Sequence, residues 1–296
     1  MTTISGGVNT FGGNPTFNGP VAGRDMVTAP GPASDEPVAA TADVGVLTVL
    51  DQEIRAVSAA LRHMYDYRQR RLAHGPLAHE AWLPAYDGGR VRVAAVQTLR
   101  PGTESAAVAY RGLVEEYNPS TVLLVGIAGG INPKVRIGDV VLSDEVIDYD
   151  ARRESDDGTH RRGQAQALAA ELGHRLNDFF AVTPATQHRP SGISFRIHRG
   201  PIGSGNAVVT DAGSDIRRWL REFNEKVLAV ETEAAGVAQS FHESVRRDGA
   251  TRGWLTVRGI SDAADRDKGH DYHDLAAQHA AEVMAMLVPF LRFGER

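Results

Sequence analysis

The stretch VLLVGIAGGINPKVRIGDVVLSDEVIDYD, residues 122–150, decides how the rest of the chain is read. Its first residues, up to Val125, are an apolar and partly β-branched run, the pattern of a strand buried on both faces. Glycines then interrupt it at Gly126, Gly129 and Gly130, and a second apolar run, Val140–Leu142, stands fenced by acids. Glycine lacks a Cβ, so either the chain turns tightly there or something comes very close to the backbone.

Outward from this stretch the same alternation repeats. Upstream, VGVLTVL (44–50) reads as a buried strand, and residues 51–64 place Ile54, Val57, Ala60, Leu61 and Met64 at helical spacing. Residues 65–90 read as a polar excursion with one short strand, 90–99 as a strand and 104–117 as a helix. Downstream, DVVLSDEVI reads as one strand, 163–180 as a helix, 193–205 as a strand running into a glycine turn, and 214–223 as a helix. Residues 226–247 read as a short strand and a long helix, 253–262 as a strand, and 271–293 as a closing amphipathic helix. Strands alternating with helices predict an α/β fold, a single domain over 43–296 with a central mixed β-sheet flanked by helices. In such folds ligands bind beyond the carboxyl ends of strands.

Residues 1–42 differ in kind. They form a low-complexity N-terminal tail and linker rich in Gly, Asn and Pro, in which VNTFGG and NPTFNG repeat a Thr-Phe pair. The 296 residues carry a net charge of −5, with 42% hydrophobic and 23% charged residues, and this balance offers no bulk attraction for nucleic acid. The absence of cysteine excludes disulfides and thiol nucleophiles. No apolar run has the length of a membrane span and no secretory leader pattern opens the chain, so a cytoplasmic protein without membrane contact is expected.

Acids recur at the strand-to-helix junctions. Glu53 follows the first strand, Glu231 and Glu233 frame VETEAAG, and Asp262 ends GWLTVRGISD. Each has a structural account alone, as a first-turn acid on a helix dipole or as a cap. Together they bring carboxylates from three strands to one edge of one sheet. The small residues of EAAG also keep the following helix slim enough for a backbone or a ligand to sit close.

The motifs GVLTVLDQEIRAV, VGIAGGINPKVRIGDVVLSDEVIDYD, GSGNAVV, AVETEAAGVAQ and VRGISDAAD stand in the order of the nucleoside phosphorylase/nucleosidase superfamily. Over residues 44–292 the chain resembles that superfamily, and most of all its 5′-methylthioadenosine/S-adenosylhomocysteine nucleosidase type. The resemblance implies a nucleoside phosphorylase-like fold and cleavage of the N-glycosidic bond of a purine nucleoside or nucleotide, releasing a base such as adenine. It assigns Asp262 as general acid at the purine N7, oriented by Ser261; donation near neutral pH needs burial or a neighbouring acid to keep the proton in place. It assigns Glu233 to the ribose hydroxyls, with Glu231 beside it, and Glu53 to the attacking water. The backbone at Ala128 and Gly129 would lie against ribose and water. No cofactor or metal is implied, although His270, His273 and Asp274 cluster near the last helix. A homo-oligomer, a dimer by base rate, is expected.

Departures from the family pattern matter. Thr232 stands where Met is usual, Ile127 where Ser or Thr is common, and Val208 with Val209 where an aromatic often stacks on the base, leaving Phe195 as a candidate for stacking. Arg152 and Arg153, with His160, Arg161 and Arg162, suggest a grip for the 5′-phosphate of a nucleotide. Phosphorolysis is the alternative to hydrolysis; the first-strand loop lacks the glycine of a phosphate site, and Arg55 is its one cation. An alternative of another class is a catalytically inactive nucleotide sensor or partner-recruiting module. The acids at 53, 233 and 262 speak against it.

Overall fold

In the computed structural model the residues described are 41–73, 75–189, 192, 194–244, 251–264 and 271–293. Both Thr-Phe pairs of the tail, and His270, lie outside them. The centre is β5 (Thr121–Gly130). On one side β1 (Val44–Thr48) runs parallel to it, and on the other β15 (Gly253–Asp262) does, so that Val46 and Leu255 both stand beside Leu123. Beyond β1 come β4 (Arg90–Gln97), parallel to it, and then β3 (Leu77–Pro84) and β2 (Tyr65–Arg71), antiparallel. The far end of β5 pairs with β14 (Ala229–Glu231), which leads on to β13 (Ile202–Ser204), β7 (Glu145–Asp148) and β10 (Gln164–Ala167). β6 (Val140–Ser143) lies between β15 and β12 (Ser194–Arg199), and β12 pairs in turn with β11 (Thr186–His188). A separate hairpin joins β8 (Arg152–Ser155) to β9 (Gly158–Arg161).

Strand side chains alternate between two core layers. Leu123 and Val125 enter a layer with Val57 and Leu61 of α1 (Asp51–Arg62), Leu176 of α3 (Ala170–Val182) and Met284 of α6 (His273–Leu287). Val122 and Leu124 enter a layer with Tyr110 and Leu113 of α2 (Thr103–Tyr117) and Val237 of α5 (Ala234–Glu243). A smaller cluster, with Tyr149 and Val209, sits under Leu220 of α4 (Asp215–Phe223). The sheet is therefore mixed and helices cover both faces. Each fully buried Leu or Val contributes roughly 1.5–3 kcal/mol, which is why runs apolar on both faces end up central.

Four local expectations change. Residues 65–90 form two strands, because their polar side chains serve a buried ion cluster around Glu80 rather than solvent alone. DVVLSDEVI divides at Asp144 into β6 and β7, which pair with different neighbours. The helix expected from 163 starts only at Ala170, because Gln164–Ala167 pairs with β7 and edge pairing overrides alanine's helix preference. The glycines of 126–130 lie inside β5 rather than in a loop after it. Among the described residues no helix is long and apolar enough to cross a membrane.

Candidate active site

The carboxyl ends of β1, β5, β14 and β15 open into one cavity. Its lining includes Glu53, Ala128, Gly129, Glu231, Thr232, Glu233, Ser261 and Asp262, together with Val208 and Val209 from the loop after β13. Residues from five separate sequence motifs thus meet at one place.

Glu53 occupies the first turn of α1. One oxygen, Oε2, accepts the N–H groups of Val49 (2.7 Å) and Leu50 (2.8 Å), which caps the helix. The other, Oε1, accepts the N–H of Ile127 at 2.9 Å and keeps one acceptor position. Burial raises the Glu53 carboxyl above its ordinary range, against the lowering effect of Arg258 and of these backbone N–H groups.

Asp262 is aimed by a β-bulge. Ile260 pairs with Ala128 and Asp262 with Gly129, so Ser261 is the extra residue that turns the strand end. Ser261 Oγ donates to Asp262 Oδ2 at 2.8 Å, and Ala264 N–H donates to Oδ1 at 2.8 Å. The serine and aspartate are thereby coupled within the buried wall of the cavity.

Glu231 and Glu233 take different parts. Glu231 accepts the N–H groups of Glu233 and Ala234 at 3.1 Å and also the Arg258 guanidinium. Its oxygens are occupied by the start of α5, so it lines the cavity as a support. Burial raises its carboxyl, opposed by the charge of Arg258. Glu233 accepts the Thr232 hydroxyl and the Gly102 N–H (3.1 Å) on Oε1, and Arg258 Nη2 (3.1 Å) on Oε2.

Arg258 is the residue that sequence reasoning missed. It is fully buried on β15, bonded to Glu231 and Glu233, and its Nη1 lies 4.0 Å from Glu53 Oε1. Burial alone would lower it; Glu231, Glu233 and Glu53 outweigh that and keep it charged. The signal was an arginine inside the apolar strand WLTVRGISD, four residues before the aspartate.

The glycines of the opening stretch make room for these charges. A Cβ at Gly126 would stand 2.3 Å from Arg258 Nη1 and 2.4 Å from Glu53 Oε1; one at Gly129 would stand 3.0 Å from Asp262 Oδ1. Close approach is therefore the reason for both, and the closest neighbours are the protein's own side chains. The slim start of α5 works likewise: a Cβ at Gly236 would meet the Thr103 carbonyl oxygen at 1.9 Å. What sits close there is the backbone of α2.

Tyr149 was also missed. Its buried hydroxyl lies between the carbonyls of Gly205 (2.9 Å) and Ala207 (2.7 Å), which share its one proton, and so anchors the loop that carries Val208 and Val209. Asn206 adds a clasp, bonding Asp150 on one side and the N–H of Thr103 on the other. His273, considered in the sequence only with a metal in mind, lines the cavity and bonds Gln52 at 3.3 Å.

Three expected residues lie elsewhere. Phe195 is buried in the core, its ring stacked on His279 at 4.1 Å, because β12 turns it inward beneath α6 rather than toward the cavity. Arg152 and Arg153 stand exposed on the β8–β9 hairpin, where Arg152 pairs with Glu154 at 2.7 Å. The hairpin carries both into solvent, and neither lines the cavity. Arg55 belongs to a groove between α1 and α6. Among the described lining residues there is neither lysine nor arginine at the cavity surface.

Comparison with known proteins agrees with this geometry. The model of the phosphorylase superfamily matches residues 43–291. A 5′-methylthioadenosine/S-adenosylhomocysteine nucleosidase of Mycobacterium bovis is 26% identical over 278 residues, covering 84% of this chain and 97% of that protein. Among solved structures, the nucleosidase of the same name from Colwellia psychrerythraea, in complex with adenine, superimposes with a TM-score of 0.64 at 20% identity, over 85% of this chain and 96% of its own. Futalosine hydrolase of Helicobacter pylori does so with a TM-score of 0.62 at 17% identity, over 83% and 96%.

Proposed function

The chain belongs to the phosphorylase superfamily, and on that premise we propose that it is a purine nucleosidase, an N-glycosyl hydrolase that releases adenine with water as nucleophile. The observation that carries this reading is the convergence of Glu53, Glu233 and Asp262 on one cavity whose surface charge, among the described residues, is acidic. Cleavage leaves positive charge on the sugar and negative charge on the departing base. Buried carboxylates stabilise the first, and a carboxylic acid relieves the second by protonation.

Asp262 gives a proton to the base at N7 while the C1′–N9 pair moves into the purine. Glu233 holds the ribose and favours the cationic ring. Water at Glu53 Oε1 adds its oxygen to C1′ and passes a proton to Glu53. Arg258 opposes the burial that raises Glu53 and Glu231, and its bonds hold Glu231 and Glu233 in place. Val208 and Val209 supply an apolar wall where the superfamily often has an aromatic.

Water is favoured over phosphate because a phosphate dianion would face carboxylates, with neither lysine nor arginine among the described residues lining the cavity. The same argument favours a nucleoside over a nucleotide, since Arg152 and Arg153 point into solvent. A homo-oligomer, a dimer by base rate, forms part of the proposal. Its support is the exposure of Val208 (62%) at the cavity and of Leu99 (95%) two residues before the lining Pro101.

The test is adenine release from adenosine, methylthioadenosine and AMP, each with and without phosphate, with the sugar product identified. Free ribose formed at the same rate in both conditions is expected, with AMP the poorest substrate. Ribose 1-phosphate formed only with phosphate present would make the protein a phosphorylase.

A further inference from the structure

The hydrogen bonds of Glu233 leave it short of acceptors for a ribose. A carboxylate offers about four acceptor positions, two on each oxygen. Oε1 already receives the Thr232 hydroxyl and the Gly102 N–H, and Oε2 receives Arg258 Nη2. One position remains, on Oε2. The 2′ and 3′ hydroxyls of a ribose are two donors, so Glu233 alone meets only one of them.

The second acceptor stands beside it. Thr232 is half-buried and lines the cavity, and its hydroxyl spends its single proton on Glu233. Its oxygen therefore presents lone pairs only. The neighbouring oxygens are less suited: Glu231 is occupied by the start of α5 and by Arg258, and Ser261, with Oγ between Asp262 Oδ2 and the Ala128 carbonyl, is only 2% exposed.

We infer that the sugar diol is read by two residues, one hydroxyl by Glu233 Oε2 and the other by Thr232 Oγ1, making Thr232 a specificity-determining residue for ribonucleosides. This rests on the nucleosidase reading above. Threonine at this position is then a functional departure from the family's methionine, since a thioether accepts hydrogen bonds only weakly. The side chain's hold on Glu233 also ties recognition of one hydroxyl to the placement of the other.

The experiment pairs a deletion in the protein with deletions in the substrate. Adenine release by the full-length wild type, Thr232→Val and Thr232→Ser is measured with adenosine, 2′-deoxyadenosine and 3′-deoxyadenosine. Valine keeps the shape and removes the oxygen; serine keeps the oxygen. Thr232→Val is expected to lower kcat/KM for adenosine and for one deoxynucleoside by about five- to tenfold, the size of one hydrogen bond. The other deoxynucleoside, already lacking the hydroxyl that Thr232 accepts, should change by less than about twofold on the same basis. Thr232→Ser should restore the wild-type pattern. An equal loss on all three substrates would reduce Thr232 to a support for Glu233 and overturn the inference, and so would no loss on any. A wild-type chain that releases adenine from none of them would overturn the nucleosidase reading itself, and the inference with it.

Discussion

Two buried ion clusters in this molecule have opposite composition. In the first, Glu80 on β3 is the central acid among Arg68 (2.6 Å), Arg70 (3.0 Å) and Arg92 (2.8 Å), with Glu116 on Arg70 (2.8 Å) and the Tyr117 hydroxyl at 2.8 Å. In the second, Arg258 is the single base among Glu231, Glu233 and Glu53. Both central side chains are buried, so burial does not distinguish them. Charge balance does. Burial alone would raise Glu80, but hydrogen bonds from Arg92, Arg70, Arg68 and Tyr117 overcome it and hold the carboxyl at about 2. Its surplus is positive and escapes to water through Arg68, whose side chain is 60% exposed. The Arg258 cluster has a negative surplus, which lines a cavity, and Glu53 remains raised there. An ion cluster whose surplus charge reaches water holds strands together; one whose surplus carboxylates face a cavity is equipped to meet a cation and move protons.

The contrast is sharpest under mutation. Asp262→Asn keeps the shape of the acid and removes its proton; turnover should fall by about 10²–10⁴-fold while the chain stays folded, as adenine release and circular dichroism would show. Arg258→Leu leaves two buried glutamates unpaired, and chemical denaturation should show a loss of roughly 3–5 kcal/mol along with activity. Glu80→Gln should lower stability by about 1–3 kcal/mol yet leave kcat near wild type at temperatures where both proteins are folded. If Glu80→Gln abolished turnover without unfolding, the separation of the two clusters would fail. The smallest effect belongs to the hairpin: Arg152→Ala with Arg153→Ala should shift KM for adenosine by less than about twofold, as expected of exposed side chains.

Acid titration separates the clusters along another axis. The folded carboxyl of Glu80 lies below the ordinary 4.5, so its contribution to stability is present above that value and is lost as pH falls toward about 2. The folded carboxyl of Glu53 lies above 4.5, and the proposed base works only when deprotonated. Activity should therefore decline with falling pH before Glu80 gives way, with the acid limb of kcat/KM centred above 4.5 while the protein is still folded. An acid limb that coincides with unfolding would remove Glu53 from the explanation.

The same distinction explains what was legible in the sequence. Runs such as VLLV and GVLTVL announce central strands because both faces are apolar, and the strand-end acids Glu53, Glu233 and Asp262 could be placed at one sheet edge from topology alone. The edge elements were harder. Tyr65–Arg71 and Gln164–Ala167 are polar strands whose pairing is set by partners distant in sequence, and local pattern does not carry that information. Arg258 was overlooked because its meaning depends on three glutamates that only folding brings to it. Phe195 and Arg152 suit the site in chemical type, but direction separates both from it, one turned into the core and the other carried outward on a hairpin.

In the proposed reaction Glu53, raised by burial and held by Val49, Leu50 and Ile127, activates the water. Glu53→Gln keeps the size of the side chain and removes the base. Turnover of adenosine and calorimetric binding of adenine, measured on the same preparation, separate the attack of water from recognition of the base. Adenine release should fall by at least about 10²-fold while adenine affinity changes by no more than about threefold, because base recognition is separate from the attack of water. Near-wild-type turnover by a folded Glu53→Gln protein would exclude Glu53 as the base.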